Sequence, residues 1–243
     1  TNVDNTNLDI YLTNSSNGEW TKNNVDINVI ANKAQMDFCL YKYEDKEYTK
    51  SNKSFVDSKL TFDSITEEQD RELTFICYDV SGNKSNEIST NVKIDKTSPQ
   101  INYSVLNATQ GIDSWYKKLQ IKVTLTDHQS GVSNAKYCTT TGSSCVPNIG
   151  INLNNNSFDI NIPNGKQVLC TTATDTVGNS VTKCSSVYSV DNISPSLSYS
   201  IASKTNGENG WYKSLSIKVS ASDNASGVRA AKYCETGSST CTP

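Results

Sequence analysis

Apolar and polar residues alternate in short runs along this chain. Leu119, Ile121, Val123 and Leu125 alternate with Gln120, Lys122 and Thr124, the two-residue period of a strand with one buried face. Ile101, Tyr103 and Val105 make a shorter run of the same kind. Ala135–Cys138 reads as a third strand, and Cys145–Pro147 opens a fourth. Ser157–Ile162 is a fifth, with Phe158, Ile160 and Ile162 on one face. Gln167–Thr174 and Val181–Val190 are the sixth and seventh, joined by a turn over Thr176–Asn179. No stretch of helical length carries a 3.6-residue period. Seven short strands separated by turn residues predict an all-β, two-sheet sandwich.

The pattern repeats. Trp20, Trp115 and Trp211 lie 95 and 96 residues apart. Asp95-Lys96-Thr97-Ser98-Pro99 returns 96 residues later as Asp191-Asn192-Ile193-Ser194-Pro195. Asp79-Val80-Ser81-Gly82-Asn83 returns at the same interval as Asp175-Thr176-Val177-Gly178-Asn179. Three landmarks on one period mean tandem modules, with expected bounds 1–99, 100–195 and 196–243. The third copy repeats only the first strands: Leu197–Ile201, Leu215–Val219 and Ala231–Cys234. With half of its core missing, it is expected to be the least ordered part or to rest against another surface. The joints Asp95–Pro99 and Asp191–Pro195 are short and end in proline, which restricts its own backbone and its neighbour's. They predict a stiff, monomeric rod.

Composition narrows the function. The hydrophobic share is 35% and the formal net charge is −3; mean hydropathy is −0.53. No basic patch is present, which argues against nucleic acid as a partner. No apolar run is long enough to span a membrane. The chain starts and stops within repeat material, as an excerpt of a longer protein would.

Ser/Thr-Asp-x-x-Ser-Gly-Val occurs as Thr126–Val132 and Ser222–Val228. A Tyr-containing strand follows, then Ala173-Thr174-Asp175-Thr176-Val177-Gly178-Asn179, then Val190–Pro195. This order resembles the bacterial immunoglobulin-like repeats of secreted and cell-surface proteins, and the likeness spans essentially the whole chain. The resemblance implies tandem immunoglobulin-like sandwiches of about seven strands each, in an extracellular setting. Such repeats occur in adhesins, in S-layer and cell-wall proteins, and beside catalytic modules of large secreted enzymes. The expected role is therefore a non-catalytic stalk or adhesion segment, with a host or surface protein or glycan as ligand. The alternative is an accessory, carbohydrate-binding module of a secreted enzyme. The first copy departs from the pattern, since Ala31–Gln35 lacks the Asp-x-x-Ser-Gly-Val string. Eight cysteines are also unusual for such repeats.

Cysteines in an Asn- and Thr-rich β repeat point to disulfides and an oxidising compartment. Metal binding competes, but spacings of seven at Cys138/Cys145 and Cys234/Cys241 do not match common zinc sites. Cys170 and Cys184 are symmetric about position 177, inside the turn. They stand opposite each other in a hairpin, on the face of Thr172, Thr174, Ser180 and Thr182. Cys138 and Cys145 flank a turn at Gly142, and Cys234 and Cys241 repeat this about Gly237. Cys39 and Cys77 remain, paired by elimination. Alternation objects: Leu73, Phe75 and Cys77 face inward, while Cys39, between Phe38 and Leu40, should face outward. A bulge would reconcile them; otherwise the two are free thiols.

No catalytic constellation is present and no enzyme activity is expected. The sole histidine, His128, lies in a polar loop and belongs to no triad pattern. No cofactor is expected either. One metal has a drawable site: Asp95, Asp127 and Asp175 fall at one domain junction, where three hard oxygens suit Ca²⁺. Ordinary turn chemistry, with Asp accepting from amides two residues on, explains the same residues. The tryptophans allow sugar stacking, or more simply packing at the end of a core.

Overall fold

The structure, a computed structural model, describes residues 6–237 and 240–243. Positions 1–5 of the expected first module and 238–239 of the third lie outside them. The chain is all-β. Its first copy contributes β1 (Ile10–Asn14), β2 (Trp20–Thr21), β3 (Ile27–Ala31), β4 (Met36–Tyr43), β5 (Thr49–Lys50), β6 (Lys59–Thr61), β7 (Gln69–Asp79) and β8 (Ile88–Ile94). The second gives β9 (Gln100–Gln110), β10 (Trp115–Thr126), β11 (Val132–Thr140), β12 (Ile149–Gly150), β13 (Ser157–Asn161), β14 (Gly165–Asp175), β15 (Ser180–Cys184) and β16 (Tyr188–Val190). The third gives β17 (Ser196–Asn206) and β18 (Tyr212–Ser222). The chain packs as two compact units. One takes in residues up to Ile101 with Leu125–Ala135 and Thr172–Thr182; the other holds Asn102–Thr124, Lys136–Thr171 and Lys183–Pro243.

In the first unit, a sheet ordered β1-β3-β6 faces one ordered β2-β8-β7-β4-β5. Their inner faces supply one core. Ile10, Ile27, Val29 and Leu60 come from the first sheet; Leu73, Phe75, Val92 and Ile94 come from the second. Cys39 and Cys77 lie in the same core, each fully buried. The outward orientation expected for Cys39 is therefore wrong. The inward set of β4 is Cys39 with Tyr41 and Tyr43, which pack against the core. Phe38 and Leu40 lie on the outer face, opposite Tyr78 and Ile76. There Phe38 stacks on Tyr78 with ring centroids 5.0 Å apart, and Lys50 Nζ sits 4.0 Å from the Phe38 centroid. Both faces of this strand pair are apolar, so alternation alone could not tell in from out. A bulge does occur at Asp37, between the pairs Met36↔Asp79 and Phe38↔Tyr78.

In the second unit, β10 is the central element. Leu119, Ile121 and Val123 are at most 1% exposed. β13 runs antiparallel to β10, with Ile121 opposite Ile160 and Val123 opposite Phe158. β16 pairs with the start of β10 in parallel, Trp115 to Ser189, and antiparallel with β14. The expected fourth strand at Cys145–Pro147 is a loop; the strand is the two-residue β12, which pairs with Lys136 and Tyr137 of β11. The seventh strand is broken into β15 and β16. The break falls at Ser185, whose Oγ accepts from Leu169 N–H and donates to Ser186 O. In the first copy Ser85 makes the same insertion against Cys77, closer to the turn.

The third copy is a long antiparallel hairpin, β17 on β18, with a register from Ser196↔Ser222 to Asn206↔Tyr212. Hairpin pairing is local in sequence, so β17 and β18 hold each other without a further strand.

Candidate functional site

All eight cysteines are paired. Cys39–Cys77 and Cys170–Cys184 each bring Cα atoms to 4.0 Å, the close approach of directly opposed residues. Cys138–Cys145 and Cys234–Cys241 span 6.3 and 6.2 Å. Farther along the Cys170–Cys184 hairpin, hydroxyl pairs line up as the two-residue period requires. Thr172 meets Thr182 at 2.6 Å, and Thr174 meets Ser180 at 2.7 Å. Cys138, Cys145 and Cys170 also lie close enough to share an ion. Their sulfurs are bonded in disulfides and offer no thiolate to a metal. His128 is exposed in its loop.

Trp20 and Trp115 are half-buried and begin the short parallel pairing with the last strand of their copy, Trp20 to Lys93 and Trp115 to Ser189. Trp211 has no such strand beside it among the described residues and is 78% exposed. The turn leading to it is nonetheless the same. Gly111 N–H donates to Trp115 O at 2.7 Å, and Gly207 N–H to Trp211 O at 2.7 Å.

The acidic landmarks converge. Asp95, Asp127 and Asp175 each present an oxygen within 4.8 Å of the others, and all three belong to the first compact unit. Asp95 and Asp175 are buried. Their location follows from turn chemistry. Each accepts from the amide two residues on: Thr97, Gln129 and Val177. Asp175 Oδ1 also takes the amides of Gly178 and Asn179, and Gly178 supplies the φ of +91° that closes the turn. Asp95 Oδ2 accepts from Ser130 N–H at 3.0 Å. The same bond recurs 96 residues on, where Asp191 Oδ2 accepts from Ser226 N–H at 3.0 Å. Hydrogen bonding holds the Asp191 carboxyl below its ordinary range, chiefly from the Ser226 hydroxyl. Each linker aspartate is thus tied to a serine 35 residues ahead.

The first copy treats the matching place differently. Lys33 Nζ donates to Asp79 Oδ2 at 2.9 Å and to Thr6 O at 2.7 Å. Asp79 is buried and held well below the usual carboxylate range. The Asn83 side chain contributes most; Lys33 and the Asn83 and Ser81 amides add to it, against the opposing effect of burial. A built-in ammonium stands at the tip of the first copy, where the second gathers three carboxylates. The motifs predicted the three aspartates; the Lys33 counterpart has no motif and went unseen.

No helix among the described residues is long and apolar enough to cross a membrane. No protein-family model matches the chain, and no curated protein matches it. Among solved structures, fibronectin(III)-like modules of Clostridium thermocellum CbhA align at 11% identity and a TM-score of 0.30, covering 74% of this chain and 94% of that one. Dimeric latent PorU from Porphyromonas gingivalis aligns at 9% identity and a TM-score of 0.27, covering 88% of this chain and 26% of that one. At these scores neither structure assigns the chain to a family.

Proposed function

We propose that this chain is a non-catalytic extracellular stalk or adhesion segment of a bacterial surface protein, built of tandem immunoglobulin-like modules. The observation that carries the reading is the repeated bond from linker aspartate to serine, Asp95 to Ser130 and Asp191 to Ser226. A chain selected to transmit force needs the same joint each time, whereas a chain selected for chemistry needs one irregular site. Four disulfides support an oxidising setting. The test is single-molecule stretching of the full chain with and without reductant. The stalk reading expects discrete unfolding steps. Reduction should release the 38-residue span locked by Cys39–Cys77, roughly 130 Å of added contour length. Featureless extension without steps in either condition would contradict it.

A second reading concerns Asp95, Asp127 and Asp175. We propose Ca²⁺ as the ion that this tip takes, because the equivalent tip of the first copy carries its own cation, Lys33. Calorimetric titration with CaCl₂ should give heat that Asp127→Asn abolishes. No heat, and no rise in thermal stability with Ca²⁺, would end this reading.

A further inference from the structure

Two disulfides of the second copy touch each other. Cys138–Cys145 and Cys170–Cys184 both lie in the second unit. Cys138, Val168 and Cys170 form one small buried cluster, and Cys145 and Cys184 pack against it. The sulfurs of Cys138, Cys145 and Cys170 all lie within 4.8 Å of one another. Burial sorts the cysteines across the bonds. Cys138 and Cys170 are closed to solvent, at 7% and 0% exposed, whereas Cys145 and Cys184 are partly exposed. Each disulfide therefore offers one half to an outside reagent and keeps the other in the shared cluster. Among the described residues no third sulfur stands this close to Cys39–Cys77 or to Cys234–Cys241.

Thiol–disulfide exchange needs an attacking thiolate, a disulfide sulfur within reach and a thiolate that leaves. A small-molecule thiolate that attacks the Cys145 sulfur forms a mixed disulfide there and expels Cys138 as a thiolate. Apolar surroundings disfavour that anion, and the Cys170 sulfur is its neighbour. Attack of Cys138 on Cys170 forms a Cys138–Cys170 bond and releases Cys184, which takes up a proton. A second external thiol then reduces the mixed disulfide and leaves Cys145 as a thiol. Two external thiols are oxidised to one external disulfide, and two protein disulfides become one disulfide and two thiols. Entry at Cys184 reaches the same product: Cys170 leaves, attacks Cys138 and releases Cys145.

We propose that this cysteine cluster is a thiol-modification site, which accepts a small-molecule thiol at Cys145 or Cys184 and moves the protein's bond to Cys138–Cys170. The new bond joins β11 to its sheet neighbour β14. One period earlier the matching strands, β4 and β7, are already joined in this way by Cys39–Cys77. A Cys138–Cys170 bond closes a longer span than either original clamp, so the modified module still constrains its unfolded chain. A reducing challenge thus exchanges two turn clamps for one strand-to-strand clamp, and the second copy stays cross-linked.

The test treats the full, folded chain with graded amounts of reduced glutathione, blocks free thiols with N-ethylmaleimide and maps the linkages by mass spectrometry without further reduction. At intermediate doses Cys138–Cys170 should be the main new bond, with Cys145 and Cys184 blocked or carrying glutathione. Cys234–Cys241, with no third sulfur beside it, should open without forming any new protein bond. Cys145→Ser and Cys184→Ser should both carry Cys138–Cys170 with no reductant added, leaving Cys184 free in the first and Cys145 free in the second. Absence of a Cys138–Cys170 linkage at every dose in the parent chain overturns the proposal, as does a Cys145–Cys170 bond in its place. Variants that fold yet keep the surviving original disulfide beside a free thiol overturn it too. The parent chain needs no substitution, so its result decides even where a variant fails to fold.

Discussion

β10 and β18 are nearly the same strand met twice, in two surroundings. Leu119, Ile121 and Val123 are core; Leu215, Ile217 and Val219, with the same alternation, are surface. The difference lies in their neighbours. β10 has β13 along one edge and β9 along the other, whereas among the described residues β18 pairs with β17 alone. Alternation therefore states which face seeks burial. Whether that face is buried depends on strands far away in sequence.

Substitution at the matched pair should expose this difference most strongly. Ile121→Asp places an unpaired charge in a closed core and should cost on the order of 4 kcal/mol or more, while Ile217→Asp should change stability by less than about 0.5 kcal/mol. Urea denaturation of both variants checks this, and equal losses would mean that β18 is covered as well. The disulfides rank next. Replacing Cys39 and Cys77 by Ala opens a 38-residue span and should cost about 4 kcal/mol by the chain-entropy account. The 14-residue span of Cys170–Cys184 should cost about 3 kcal/mol, and a seven-residue span such as Cys138–Cys145 about 2.5 kcal/mol. Thermal unfolding of the three double variants tests the order; a reversed ranking would show that native packing outweighs loop length. Trp115→Ala should cost about 2 kcal/mol, as a half-buried aromatic losing its packing, and Trp211→Ala almost nothing. Similar losses at both would contradict the exposure of Trp211.

The tip of the first copy gives an effect that depends on pH. Asp79 is depressed below the carboxylate value of about 3.9 expected when unfolded, chiefly by the Asn83 side chain, with Lys33 assisting. Its contribution is then full above about pH 4 and fades as pH falls toward the folded value. Asp79→Asn should lower Tm at pH 7, and the gap from the parent should close below pH 4. A gap constant from pH 2 to 7 would show that charge plays no part there.

The sequence made the sandwich strands legible where buried positions alternate cleanly with polar ones, as in β10 and β13. It failed where that contrast is lost. Phe38, Leu40, Ile76 and Tyr78 form an apolar outer layer, so the inward side of Cys39 could not be read. β12 is too short and exposed to carry a pattern, and the kink at Ser185 depends on one hydroxyl finding the Leu169 amide. The pairs Cys138–Cys145, Cys170–Cys184 and Cys234–Cys241 and the aspartate turns were readable because each is local in sequence. Lys33 facing Asp79 joins residues 46 apart, and no local signal reports it.

Hydrogen exchange along the two matched strands tests the account most directly. Amides of Gln120–Thr124 should be protected by a factor of at least about 10³, since both edges of β10 are paired and its core is closed. Alternate amides of Ser216–Ser220, facing the open edge of β18, should exchange close to the rate of an unfolded chain. Equal strong protection on both strands would contradict the claim that the third copy presents an uncovered core face.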